Sequence, residues 1–272
     1  PDVYDNLEMT KNTFVQFFAQ SQHLVLCEHD PVIRSLFPTL IHPSIVTYGL
    51  DDTADYYAQS IIYSPDETTF EVYKKGNKLG NCKTELFGEK NVLNTLGIIT
   101  LLLENKFSFE ETAQSVEGFK GAKRRFELVW TDTKSFLFDD YGHHPSEIEA
   151  TIKAVRSRFP TKKLHVLFQP HTYSRTAAFR REFARALSQA DYVYIMPIFA
   201  SAREKKEQFD VSSSAIAHEA KNNHVIAFEN TQETLRSLGT FFHKGDVILT
   251  MGAGDIYKLK DDIIDILNEN SI

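Results

Sequence analysis

Cysteine is nearly missing. Cys27 and Cys82 are the only two in 272 residues, too few and too far apart for a disulfide framework or a Cys-rich zinc site. That scarcity leads to the expectation of a reducing, cytoplasmic setting. Long apolar runs are missing too: the longest, Leu96 to Leu103 and Val247 to Met251, fall well short of the ~20 residues that span a bilayer, so no membrane role is expected. No secretory leader is recognisable. Positive charge is scarce, with 30 Lys and Arg against 37 Asp and Glu for a formal charge of −7. Such a chain has no bulk field to hold a nucleic-acid backbone or an anionic membrane. Only 12 Gly and 9 Pro stand among 42% hydrophobic residues, a composition that excludes disorder and predicts a sizeable core. An initiator Met is lacking as well, and the opening Pro1-Asp-Val-Tyr-Asp5 reads as the middle of a longer protein.

What is present is periodicity, without internal repeats or low-complexity tracts. Leu7, Met9, Phe14, Phe17 and Phe18 mark one face of a helix over residues 5–19, with Asn6 as its cap. A buried strand is expected at 23–27, and strand-like pieces at 45–48, 59–64 and 69–74 are separated by Gly and Asn turns. Helices follow at 91–104 and 109–119, the second with Ser108 and Glu111 at capping-box spacing. Beyond Phe126 the rhythm becomes regular: strands at 135–139, 163–168, 191–196, 224–228 and 246–251 alternate with helices at 146–158, 177–189, 212–220, 231–242 and 255–268. This alternation predicts parallel βαβ units in a Rossmann-like, open, mostly parallel α/β sheet, preceded by a separate α/β domain. The boundary is expected near 118–126, giving domains of 1–120 and 121–272.

In such a sheet ligands bind beyond the carboxyl ends of the strands, which singles out three segments. They are Asp139-Asp-Tyr-Gly-His-His-Pro145, Gln169-Pro-His-Thr-Tyr-Ser-Arg-Thr176 and Met251-Gly-Ala-Gly-Asp255. The first carries metal-ligand residue types, but adjacent His residues rarely point the same way, and helix capping before Pro145 is the simpler reading. In the second, a loop would set Arg175 beside His171, Tyr173 and two hydroxyls, a group suited to a carboxylate or phosphate. Lys123-Arg-Arg125 is either a solvated basic run or a cation source at the domain boundary. The stretch Gly76 to Thr84 fails as a phosphate loop, because Asn81-Cys82 interrupts the required Gly-Lys-Thr order, and reads as a hairpin turn. Gly252-Ala-Gly254 fails the dinucleotide fingerprint, since its third glycine would fall at Tyr257, although a helix start there could attract an anion.

Taken in order, Lys120-Gly-Ala-Lys-Arg-Arg-Phe-Glu127, Asp139 to Pro145, Phe168 to Thr176, Ala200-Ser-Ala-Arg-Glu204 and Met251 to Asp255 resemble the Mur ligases. Within them the pattern is similar to the branch that joins L-alanine to UDP-N-acetylmuramate, rather than to the murein-tripeptide recycling branch. The resemblance implies an ADP-forming acid–amino-acid ligase of peptidoglycan synthesis, working through an acyl phosphate. It implies that the chain holds the end of a central ATPase domain and a whole C-terminal domain, and is inactive alone. The phosphate loop and a His that helps hold Mg2+ would lie upstream of Pro1, with UDP-N-acetylmuramate, L-alanine and ATP as ligands. It further implies ATP contacts at Asn91, Asn94, Arg125, Asp140 and Tyr141, and amino-acid contacts at His143 and Arg175, with no metal ligand or catalytic residue in the chain itself. Two positions depart from the pattern: Lys90 stands where the family has His, and Thr172 where some members carry a second Arg. Two other readings are a stand-alone amino-acid or nucleotide binding module and, more weakly, a dinucleotide oxidoreductase.

Overall fold

Asn6 stands one residue ahead of the first apolar stripe, and its side chain accepts the Met9 N–H at 2.9 Å, capping α1 (Leu7–Ala19). The computed structural model describes residues 6–64, 66–132, 134–200, 204, 209–220 and 224–269. The chain divides into two compact units, Pro1–Lys120 and Gly121–Ile272.

In the first unit α1 is followed by β1 (Leu24–Cys27), α2 (Pro31–Leu36), β2 (Ile45–Gly49), β3 (Tyr56–Tyr63), β4 (Thr68–Lys74), β5 (Asn77–Thr84), α3 (Glu89–Glu104) and α4 (Phe109–Glu117). Among the described residues the five strands pair in sequence order, β1–β2–β3 parallel and β3–β4–β5 antiparallel. Helix α2 was not anticipated: its six residues are too few to show a period, and it is fixed by Pro31 at its start and Asp30 accepting the Val32 and Ile33 N–H groups. The segment expected to be a hairpin turn turns only at Lys75 and Gly76, which take φ of 47° and 82°; the rest is strand β5. Gly80 lies within that strand because the Phe109 ring of α4 occupies the space a Cβ would need. The capping box of Ser108 and Glu111 is formed as expected. Ala58, Phe70, Val72 and Cys82 of the sheet bury against Val92, Leu96 and Ile99 of α3.

The second unit holds β6 (Glu127–Thr131), β7 (Phe136–Asp140), α5 (Pro145–Arg158), β8 (Leu164–Phe168), α6 (Tyr173–Leu187), β9 (Tyr192–Ile195), α7 (Ser213–Ala220), β10 (Val225–Ala227), α8 (Thr231–Phe241), β11 (Val247–Met251) and α9 (Lys260–Glu269). Among the described residues the strand order is β10–β9–β8–β11–β7–β6, parallel throughout except for β6. Alternate residues feed opposite faces. Phe138, Val166, Phe168 and Leu249 pack with Ile148 and Ile152 of α5 and Phe183 of α6, while Leu137, Leu167 and Ile248 pack with Leu238 of α8 and Ile263 of α9. This is the Rossmann-like α/β arrangement the alternation predicted. Strand β11, last in sequence, sits between β7 and β8, so the loops leaving these three strands emerge side by side. No helix among the described residues is long and apolar enough to cross a membrane.

At the opposite, amino end of these strands lies a buried polar cluster. His165 is fully buried, with Nδ1 3.0 Å from the Tyr194 hydroxyl and Nε2 3.0 Å from Asp246. Burial pushes the Asp246 carboxyl up, but hydrogen bonds from His165 and the His243 N–H outweigh it and hold the group below the usual carboxylate range. A carboxyl depressed in the folded state stabilises fully above its unfolded pKa, and that stability is lost as pH falls through the folded value. His165→Ala should cost about 2–4 kcal/mol in urea unfolding at pH 7, from a cavity, the Tyr194 hydroxyl left without its partner and Asp246 left with one donor fewer. The destabilisation caused by Asp246→Asn should shrink as pH drops below about 4. A deficit that stays constant into acid would refute the pairing.

Candidate nucleotide and amino-acid site

Strand β7 ends in two carboxylates that leave water for different partners. Asp139 Oδ1 accepts the Thr250 hydroxyl at 2.6 Å from neighbouring β11, and its Oδ2 lies 3.2 Å from Arg124 Nε. Asp140 Oδ2 accepts the Phe126 N–H at 2.8 Å, and Oδ1 the Gly142 N–H at 2.7 Å. Only 6% exposed, Asp140 is pushed up to about 6 by burial, against the two N–H donors and the nearby charge of Arg125. A Cβ at Gly142 would fall 2.7 Å from Asp140 Oδ1 and 2.9 Å from Met251 Cε, so a side chain there would displace the carboxylate and the Met251 methyl.

The approach to β6 wraps around these acids. Arg124 and Phe126 both take left-handed conformations, φ 60° and 52°, which non-glycine residues adopt only where the surroundings enforce them. Arg125 between them is exposed and lies 5.4 Å from the Tyr141 ring centre. Sequence treated 123–125 as one basic run, but Arg124 turns inward and is not a solvated face.

The second segment corrects an expectation. Helix α6 begins at Tyr173, not at 177, so Arg175 sits in its first turn instead of on a loop. Thr172 is the cap, at φ 67°, and Glu204 accepts the Tyr173 N–H at 2.7 Å and bonds the Ser174 hydroxyl. Thr172 is a local signal that the periodicity reading passed over, while the Glu204 contact, 31 residues downstream, leaves none. Glu204 is described; Ser201, Ala202 and Arg203 of the same motif lie outside the described residues.

A chain of ring contacts links the acids to this helix. Tyr141 meets His143 at 5.3 Å, His143 meets His171 at 6.1 Å, and His171 Nδ1 lies 3.4 Å from Arg175 Nη1. Arg125, Asp140, Tyr141, His143 and Arg175 thus share one carboxyl edge. Asn91 and Asn94 belong to α3 of the first unit; Asn91 Nδ2 donates to the Phe87 carbonyl at 2.8 Å, and Asn94 and Lys90 are exposed.

The remaining motif residues have structural partners. His144 caps α5, accepting the Ser146 N–H, while Glu147 reaches back to the His144 N–H. Asp139, Asp140 and His144 of the metal-like segment are thus engaged in capping and loop bracing. Among the described residues no three His, Cys, Asp or Glu side chains gather to hold a metal ion. The anion reading of the 252–254 loop also changes: the Ile256 N–H at the following 3-10 turn is taken by Gln169 Oε1 at 3.0 Å, and Gln169 Nε2 donates to Asp255 at 2.9 Å. Gly252, at φ 146°, is needed because a Cβ would fall 2.6 Å from the Gln169 carbonyl oxygen.

Comparison with known proteins gives the family. Residues 2–102 match the Mur ligase middle domain, and residues 124–254 the Mur ligase glutamate ligase domain. The UDP-N-acetylmuramate–L-alanine ligase of Desulforapulum autotrophicum is 34% identical over 272 residues, covering 98% of this chain and 59% of that protein. The chain spans about half to three-fifths of the length of the curated relatives it matches. Crystal structures of the UDP-N-acetylmuramate–alanine ligase and of the MurF ligase in complex with ADP, both from Thermotoga maritima, share the fold. Their TM-scores are 0.75 and 0.69, at 24% and 18% identity, each covering 97% of this chain and 56% and 57% of theirs. On these two domain matches and the strand-end architecture they coincide with, the chain belongs to the Mur ligase family.

Proposed function

We propose that this chain forms the nucleotide- and amino-acid-binding part of a cytoplasmic, ATP-dependent ligase that joins L-alanine to UDP-N-acetylmuramate in peptidoglycan synthesis. The observation that carries the reading is the continuous contact path from Asp140 through Tyr141, His143 and His171 to Arg175. It supports one mouth with an anion-binding cation at each end.

On this reading the exposed Arg125 guanidinium meets ATP phosphate, and Asp140 accepts the ribose hydroxyls with the lone pairs its two N–H donors leave. Asn91 and Asn94 are the adenine-side groups. Arg175 holds the alanine carboxylate, with Tyr141 and His143 lining the space between. The muramate carboxylate oxygen attacks the γ-phosphorus and ADP leaves; the alanine amine then attacks the acyl carbon, loses a proton, and phosphate departs. The chain's own contribution is to bind and orient charged groups. Magnesium would offset triphosphate charge, and its ligands belong to the phosphate-loop part that this reading sets upstream of Pro1. The acids at the mouth fit that division, since both are already engaged by Arg124, Thr250 and backbone N–H groups.

The 272 residues assayed alone with ATP, magnesium, UDP-N-acetylmuramate and L-alanine should release no phosphate. Turnover would overturn the assignment of the phosphate loop to another segment, while tight calorimetric binding of alanine or ATP without turnover would favour a stand-alone binding module. In the intact ligase, Arg175→Ala should raise the alanine KM roughly 10- to 150-fold, about 1.5–3 kcal/mol for one charge-assisted contact, and leave the ATP KM nearly unchanged. Asp140→Asn should do the reverse. Equal effects on both substrates would undo these roles.

A further inference from the structure

Arg124 and Arg125 are neighbours in sequence and opposite in structure. Arg124 Nε pairs with Asp139 at 3.2 Å and its Nη2 donates to the Gly252 carbonyl at 2.5 Å. Its guanidinium lies 4.9 Å from the Tyr141 ring centre and 4.5 Å from that of Tyr257. Its backbone is held equally firmly: the N–H donates to Glu127 at 2.8 Å, and the carbonyl accepts the Tyr141 N–H at 2.7 Å. One residue therefore ties together the approach to β6, the end of β7, the loop after β11 and the turn that follows it.

We infer that Arg124 is the positioning residue of the nucleotide subsite, aiming Arg125 and seating Tyr141 without touching ligand itself. The inference rests on the ligase reading, which gives Arg125 the phosphate. Its physical basis is the tripeptide geometry. Arg125 stands between two left-handed residues, and each is fastened to the β7 terminus, Arg124 through its carbonyl to Tyr141 and Phe126 through its N–H to Asp140. Left-handed backbone at a bulky residue persists only when its surroundings over-determine it, and the Arg124 side chain supplies much of that determination. The task requires a planar fork. An Arg can reach a carboxylate and a carbonyl at once while stacking on two rings, whereas a Lys ammonium is a point charge that satisfies one of them. Losing the fork frees the Arg125 segment to leave its aimed conformation, and nucleotide affinity falls although no ligand contact has been removed.

The test is a double-substitution cycle in the intact ligase, reading the ATP KM, the alanine KM and, by calorimetry, the ADP Kd. Arg124→Gln leaves Asp139 buried without its cation and can fail to fold, so Arg124→Lys carries the experiment. Arg124→Lys should raise the ATP KM and ADP Kd about 10-fold and the alanine KM less than about 2-fold. Combined with Arg125→Gln, it should add no more than about 2-fold to the ADP Kd of Arg125→Gln alone, because a residue that acts through another has nothing left to position. Multiplying effects, or equal rises for both substrates, would overturn the inference while leaving the ligase reading intact. An ADP Kd unmoved by Arg125→Gln would remove the phosphate role of Arg125 and the inference with it.

Discussion

A carboxylate cannot leave water without donors, and β7 ends in two that do. Asp139 and Asp140 are 5% and 6% exposed, so their lone pairs must be met by groups from elsewhere in the second unit. The donors come from separate stretches: Thr250 on β11, Arg124 and Phe126 on the approach to β6, and Gly142 in the following loop. Each donor brings its segment with it. The convergence of loops at the carboxyl edge is the solution to a desolvation problem posed by two adjacent residues.

The two edges of the same sheet handle buried charge differently. At the amino edge, His165, Asp246 and Tyr194 close on one another and leave nothing over. At the carboxyl edge the acids are satisfied by backbone and by Arg124, which leaves Arg125 facing solvent and Arg175 in a first helical turn. A closed network rigidifies, and at the carboxyl edge too the acids are met from within the fold. The placement follows strand order, because β11 lies between β7 and β8 and crowds three loops together on one side.

Long-period features were legible in the sequence. The alternation after Phe126 marked every parallel strand of the second unit, since the central ones are almost wholly buried and their helices are buried on one face. Strand β6 was not legible: it is an antiparallel edge strand with a register shift between Leu128 and Trp130, so its alternation is broken. The start of α6 was misplaced because its cap, Thr172, takes an uncommon φ of 67° and the supporting Glu204 carboxylate is remote in sequence. At the site, the motifs located Arg125, Asp140, Tyr141, His143 and Arg175, and the coordinates bring these residues to one edge. The motif singled out Arg125 but said nothing of what Arg124 does, because that depends on backbone conformation and on partners from four segments. Gln169 was likewise readable only as a polar strand-end residue, yet it fills the helix-start position that seemed open to an anion.

Thr172 carries a consequence for anyone wishing to retune the mouth. It is 4% exposed, takes a left-handed backbone, and its hydroxyl accepts the Arg175 N–H at 3.4 Å. A longer cationic residue there could not stay in that niche and would have to swing outward, undoing the bond that starts α6. On the proposed reading, extra attraction for an incoming acid would then be exchanged for a looser platform beneath Arg175. Redesign of ligand preference is better begun at the exposed rim than at this sealed hinge.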